Sequence, residues 1–323
     1  MSNKLRVYFM GSGHIAVPIL QTLSRANDEL ELVGIGTQPD KPAGRKCRLM
    51  PTPVGLAAEG LGLTADKIEA ASSPDFVEKL RKLDLDFILV VSFGQLLKEN
   101  VLAIPRYGCI NVHASILPKY RGASPIAAAI AHREQYTGVT FMKMVKKLDA
   151  GDIYHIIKYP LSGHERCDEL ELQLGIVAAA NVADTLSGIA AGTFRGVAQD
   201  EAAMTMTCKI KKHNGLINWN WPAATVEALT RAFYPWPGAI ITLNFADREE
   251  RLTVHSVRVL PEITATPGTI VRADKNGFII ACGTGAVELL EITPAGRKTM
   301  SAPAYLNGCK INQATVKVDI DSI

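Results

Sequence analysis

The first half of the chain alternates short apolar runs with stretches in which apolar positions recur every three or four residues. Leu5–Met10, Glu31–Gly36, Phe87–Val91 and Gly108–His113 are of strand length. The unbroken apolar character of Phe87–Val91 suits a strand covered on both faces of a parallel sheet. Thr137–Met144 and Asp152–Tyr159 are further strands. Ile15–Arg25 reads as a helix, and a second begins at Ser73-Pro74, with Ser at the cap, Pro at the first helical position and Phe76, Val77 and Leu80 on one side. Asp168–Ala191 is mostly helical. This rhythm predicts an α/β fold with a doubly wound, Rossmann-like, mainly parallel sheet.

Around Gly192–Met206 the periodicity fades and Gly, Thr, Gln and Asp collect, which reads as a linker. A helix over Ala223–Phe233 then leads into Tyr234-Pro235-Trp236-Pro237-Gly238. Short β-like runs follow at Ile240–Asn244, Leu252–Leu260, Thr269–Val271, Phe278–Cys282 and Val287–Ile292, separated by Gly and Pro. They predict a small, mainly antiparallel, OB-like β-barrel. The expected organisation is a domain over 1–191, a linker over 192–208 and a β-barrel domain over 209–323.

With 47% hydrophobic and 21% charged residues, the composition is that of a soluble globular protein able to bury two cores. No uninterrupted apolar run reaches the ~20 residues that span a bilayer, so no membrane is expected. The strand-like run begins at Leu5, which leaves no room for a leader, and the expected location is cytoplasmic. Six cysteines are scattered without a CxxC pair, which predicts reduced thiols and no metal. No long apolar stripe demands a partner, and a monomer is expected. The net charge of +3 resides in residues 209–323, where 13 Lys and Arg face 10 Asp and Glu. The loop 37–54 is also basic, holding Lys41, Arg45, Lys46 and Arg48 against Asp40. Such segments can neutralise phosphates, and an ordinary solvated surface explains them equally well.

Candidate chemistry concentrates in Asn111-Val112-His113-Ala114-Ser115-Ile116-Leu117-Pro118, at the C-terminal end of an expected central strand. Ligands of open α/β sheets bind at that edge. Residues two apart on a strand face the same way, so Asn111 and His113 lie side by side. An amide donor beside an imidazole suits a reaction in which a carbonyl oxygen gains negative charge. The pair could equally satisfy backbone groups at a strand end. Downstream, Asp149 lies in the turn Leu148-Asp149-Ala150-Gly151-Asp152. A buried carboxylate facing His113 would orient the ring and favour its charged form, although an Asp in a turn is commonly a local cap.

The stretch Asn-Val-His-Ala-Ser-Ile-Leu-Pro-Lys-Tyr-Arg-Gly-Ala-Ser-Pro-Ile over 111–126 resembles the signature of the 10-formyltetrahydrofolate-dependent formyltransferases, and Leu-Asp-Ala-Gly-Asp over 148–152 is similar to their second motif. The resemblance implies a catalytic trio at Asn111, His113 and Asp149, and a role in holding 10-formyltetrahydrofolate for Ser115, Ile116, Leu117 and Pro118. Ile116 stands where the family more often has Leu, a change that conserves volume. Three further stretches resemble the members that act on methionyl-tRNA, the initiator in particular. They are Thr37–Arg45 with Met50–Val54, Lys209–Lys212 continuing to Arg231–Gly238, and Met300–Gly308. The resemblance implies that Lys41 and Arg45 engage the tRNA acceptor end, and that Lys209, Lys211 and Lys212 contact its backbone. The turn Gly11-Ser12-Gly13-His14 departs from the family's usual Gly-Thr-Pro.

Three other readings compete. Gly11-Ser12-Gly13-His14-Ile15-Ala16 matches a dinucleotide fingerprint, but the second strand ends in Thr37-Gln38-Pro39 rather than in the acid that binds a ribose. A sister formyltransferase acting on a sugar nucleotide or on glycinamide ribonucleotide would share the trio and differ in the basic segments. A non-catalytic RNA-binding protein on the same fold is disfavoured by the intact trio.

Overall fold

The computed structural model describes residues 4–25, 28–43, 48–309, 311 and 315–316. The chain divides into two compact units. One comprises residues 1–125, 136–160 and 169–207; the other comprises 126–135, 161–168 and 208–323.

The first unit is built on a seven-stranded sheet. Its order is Ile153–Pro160, Tyr136–Lys143, Cys109–His113, Phe87–Val91, Leu5–Gly11, Leu30–Thr37 and Asp66–Lys67. The strands from Cys109–His113 to Asp66–Lys67 run parallel; Tyr136–Lys143 runs antiparallel to Cys109–His113, and the edge strand Ile153–Pro160 antiparallel to Tyr136–Lys143. The central strands are parallel because helical crossovers separate them, and helices covering both faces leave every residue of Phe87–Val91 buried. Ser73 sits in extended backbone ahead of the helix Pro74–Arg81, which turns Val77 and Leu80 inward. The expected doubly wound, mainly parallel sheet is present.

The helix Cys167–Ala191 is long and apolar enough to cross a membrane by length and composition. Its run is interrupted by Asp168, Glu169, Glu171 and Asp184, and Leu170, Leu174, Ala178, Val182 and Leu186 are buried. The segment after it, expected to be a linker, is built into the first unit instead. Val197 bridges Ile153, and Met206–Thr207 pairs in parallel with Arg121–Gly122. Periodicity fails there because the segment forms single bridges and side-chain bonds rather than an element with one buried face.

The second unit is an antiparallel sheet curled into a near-closed small barrel. Its strand order is Ile270–Asp274, Gly277–Ala281, Ala286–Pro294, Glu249–Leu260, Ala239–Asn244 and Thr315–Val316. Alternate inward positions such as Leu252 and Val254, or Phe278 and Ile280, meet Trp219, Val226 of the helix Ala223–Ala232 and Tyr305 of the helix Ala302–Gly308. Trp219 is 1% exposed at the centre of this core. Trp219→Ala is expected to cost about 3–5 kcal/mol of stability, because so large a cavity cannot close. A urea melt of the full chain that shows no loss in midpoint would contradict this packing.

Candidate active site

The strand Cys109–His113 lies between Phe87–Val91 and Tyr136–Lys143, with His113 opposite Thr140 and Asn111 opposite Met142. His113 is 5% exposed. Its Nδ1 is 3.0 Å from Ser115 Oγ, and Ser115 Oγ donates to the Lys119 carbonyl at 2.6 Å. A hydroxyl has one proton. Because that proton goes to the carbonyl, Ser115 must accept from His113, and Nδ1 carries hydrogen. The tautomer is therefore fixed by a neighbour two residues away, leaving Nε2 to face the site.

Nε2 is buried and lies 3.4 Å from Asp149 Oδ2, too long for a hydrogen bond and right for an ion-pair contact. It makes no hydrogen bond to the described residues. Asn111 is partly exposed on the same strand face, and its amide makes no hydrogen bond among them either. An imidazole edge and an amide donor thus remain available side by side at the sheet's C-terminal edge. The loop beyond is stapled by Thr140, whose hydroxyl donates to the Ser115 carbonyl at 2.6 Å and accepts from the Leu117 amide at 3.2 Å.

Asp149 adopts a left-handed conformation, φ 49°, uncommon for a residue with a side chain. Three contacts hold it there. Its Oδ2 accepts from the Gly122 amide at 2.8 Å. Gln199 Nε2 donates to the carbonyls of Asp149 and Gly151, each at 2.8 Å. Gly151 lies so close to Lys143 that a Cβ would come within 1.9 Å of the Lys143 carbonyl oxygen. Gln199 Oε1 accepts from Nε of Arg121, which is 1% exposed, and Arg121 also donates to Glu201 Oε1 at 2.8 Å. Lys147 completes the series on Glu201 Oε2 at 2.7 Å. Charge alternates outward from Asp149 through Arg121 and Glu201 to Lys147.

Burial alone would push the Asp149 carboxyl up. The His113 contact, the Gly122 amide and the Arg121 charge outweigh it, so the group lies below its ordinary value. Glu201 is drawn down to about 2 by hydrogen bonds from Arg121 and Lys147.

The expected trio thus converges in one unit. Among the residues expected to hold folate, Ile116 and Pro118 are partly exposed and Leu117 is buried. Ser115 departs from that expectation: it is wholly buried, and its hydroxyl is committed to His113 and Lys119. Lys41 is exposed in the short strand Lys41–Ala43 and bonds to Gln38. Arg45, like Lys46 and Cys47, lies outside the described residues. Lys209, Lys211 and Lys212 are exposed in the second unit. No group of three or more His, Cys, Asp or Glu placed to hold a metal occurs among the described residues. Sequence reasoning missed Gln199, Arg121, Glu201 and Thr140. Arg121 lay inside the quoted signature, but only its burial reveals its task.

The dinucleotide reading fails on charge. The amide of Ile15, at the start of the helix Ala16–Leu23, donates to Glu171 Oε1 at 3.2 Å. A pyrophosphate would meet a carboxylate where such folds offer it a helix N-terminus.

Comparison with known proteins agrees with this geometry. Residues 4–177 match the family model described as formyl transferase, and residues 209–310 match the formyl transferase C-terminal domain. The chain is 36% identical over 307 residues to the methionyl-tRNA formyltransferase of Geobacter metallireducens, covering 95% of this chain and 96% of that one. Its fold is similar to an N-formyltransferase from Helicobacter canadensis solved with folinic acid and dTDP-3-aminofucose, with TM-score 0.61, 16% identity, and 88% and 99% of the two chains covered. It is also similar to HypX from Aquifex aeolicus solved with tetrahydrofolic acid, with TM-score 0.61 and 16% identity. There 94% of this chain is covered, and it spans about half (47%) of HypX.

Gln199→Ala is expected to lower kcat about 10- to 100-fold by loosening the Asp149 turn, with KM for both substrates nearly unchanged. Unaltered kcat in steady-state assays would remove Gln199 from the positioning shell. A second expectation concerns acid stability. With its folded value depressed, Asp149 contributes stability that is fully present above the unfolded carboxyl value of ~3.9 and lost as pH falls through the lower folded value. The stability gap between wild type and Asp149→Asn in urea melts should therefore shrink on acidification below pH ~4. A gap independent of pH would argue against the assignment.

Proposed function

The chain belongs to the methionyl-tRNA formyltransferase family, and we infer that it transfers the formyl group of 10-formyltetrahydrofolate to the α-amino group of methionyl-tRNA. The observation that carries this reading is the buried His113 ring, its tautomer fixed by Ser115 and its free edge set against Asp149, beside an uncommitted Asn111 amide.

The nucleophile is an α-amine, whose ordinary pKa of about 7.7–8.0 leaves a neutral fraction near pH 7. As it attacks the formyl carbon, negative charge grows on the formyl oxygen. Asn111 donates a hydrogen bond to that oxygen, and His113 stabilises it from the adjacent strand position. Asp149 holds the ring in place and relays the proton released by the amine. That proton passes to the folate nitrogen as its bond to the formyl carbon breaks, so the folate leaves unformylated and neutral at that atom. The loop 115–118 supports the donor through its main chain and through Ile116 and Pro118, with Leu117 packed beneath. Ser115 acts through His113.

The acceptor is read elsewhere. Lys41 and Arg45 on the basic loop engage the acceptor end of the tRNA, and Lys209, Lys211 and Lys212 take phosphates of its backbone. Support comes from the positive charge of both segments and the exposure of the lysines. The initiator is the methionyl-tRNA modified, and the enzyme serves the start of translation as a cytoplasmic monomer that needs no membrane. In this reading residues 1–191 are the catalytic domain, 192–208 brace its turn at residue 149 and lead on along the chain, and 209–323 are the tRNA-binding domain.

Asn111→Ala is expected to lower kcat about 10²- to 10³-fold, the usual effect of deleting one oxyanion donor, without weakening tRNA binding comparably. Near-normal turnover would reject its role. The acceptor is tested by offering the purified protein a formylated folate with methionyl-tRNA, an amino-sugar nucleotide or glycinamide ribonucleotide. Formylmethionyl-tRNA is the expected product, and formylation of a small-molecule acceptor alone would overturn the assignment.

A further inference from the structure

Of the three tryptophans in the chain, Trp219 is buried and Trp221 packs against the barrel core, but Trp236 is 58% exposed. Exposing a large, flat apolar ring costs solvation free energy and calls for a use. Trp236 is bracketed by Pro235 and Pro237, whose rings fix φ on either side and limit the freedom of the loop. The neighbouring aromatic is already covered. Arg166 lies 4.5 Å over the Tyr234 ring, and His255 meets Tyr234 edge-on at 6.0 Å. Trp236 therefore presents the open face of this loop.

Its surroundings are basic. The turn Lys212–Gly215 packs directly on the tryptophan loop: a Cβ on Gly215 would lie 2.2 Å from the Gly238 carbonyl oxygen and 3.2 Å from Pro237 Cγ. Lys209, Lys211, Lys212 and His213 on that segment are exposed, and none of the three lysines is ion-paired to a described carboxylate. A rigid exposed indole beside unpaired ammonium groups has the composition of a single-stranded nucleic-acid contact, where bases stack on an aromatic ring and phosphates meet cations.

We propose that Trp236 is a stacking platform for an unpaired nucleobase of the tRNA substrate, with Lys211 and Lys212 holding the adjoining phosphates. This rests on the tRNA reading above and adds a contact that the lysines cannot make. Stacking is nearly independent of ionic strength, whereas each phosphate contact weakens as salt rises.

Titration of the full-length protein with methionyl-tRNA, followed by tryptophan fluorescence and by filter retention at low and high salt, separates the two. Saturating tRNA should quench the wild-type emission. Trp236→Ala should raise Kd about 5- to 150-fold, by the same factor at both salt concentrations. Trp236→Phe should keep most of the affinity and lose the quench, a readout that survives even if the alanine variant folds poorly. Wild-type affinity in Trp236→Ala, or a quench that persists in Trp236→Phe, would overturn the proposal. If in that case Lys211→Gln with Lys212→Gln still flattens the salt dependence, the tRNA surface stands and the stacking contact falls alone. Failure of the wild type to bind methionyl-tRNA would remove the reading beneath it.

Discussion

The site depends on one largely buried carboxylate held in an unfavourable backbone conformation. Asp149 must sit in the left-handed region and largely out of water to meet the imidazole of His113, and neither condition is favourable alone. Burial raises the cost of its charge, and the backbone conformation costs of order 1–3 kcal/mol. The compensations are specific. The Gly122 amide takes one carboxylate oxygen, Gln199 takes the two carbonyls around the turn, and the buried Arg121 charge stands behind it. Taking the Gln199 amide away releases the turn and the charge balance together, because the same group binds Arg121.

This arrangement explains why residues 192–207 have structure without periodicity. The segment is held by what it does for the turn at residue 149. Gln199 and Glu201 meet the Arg121 side chain, and Met206–Thr207 pairs with the backbone of Arg121–Gly122. The chain leaving the helix Cys167–Ala191 thus passes behind the turn at residue 149. A disturbance of this segment reaches Asp149 through two hydrogen bonds, without any element having to move as a body.

Much of this was legible in the residues. The strands were readable because a strand covered on both faces has nowhere to put a polar side chain, and Phe87–Val91 obeys that rule at every position. The pairing of Asn111 with His113 followed from the period of a strand. Asp149 was a candidate from its turn, but only the resemblance joined it to His113, since spacing does not say which turns converge. The role of Ser115 was hidden because its hydroxyl works inside the protein, on the ring two residues before it and on the Lys119 carbonyl. Arg121 and Gln199 lie far apart in sequence, and no local pattern marks a long-range hydrogen bond. The barrel strands were readable, but the surface they present was not, because exposure of Trp236 depends on which loop face the core consumes.

The division between donor chemistry and acceptor choice has a physical basis. In the proposed reaction the His113, Asn111 and Asp149 constellation meets only the formyl carbon, its oxygen and the incoming amine, groups common to any N-formylation. Nothing in those three side chains distinguishes the amine of an esterified methionine from that of an amino sugar, and the fold is similar to that of an N-formyltransferase solved with an amino-sugar nucleotide. Selectivity must come from groups that contact the remainder of the acceptor. A tRNA offers many phosphates and a few unpaired bases, so a protein that selects it needs dispersed cations for the first and exposed rings for the second. Exposed cations and an exposed ring both occur away from the proposed trio, in the lysines of residues 209–212 and in Trp236. In the proposed reading, binding energy gathered there orients the amine toward the formyl carbon, raising the rate without any change at Asn111, His113 or Asp149.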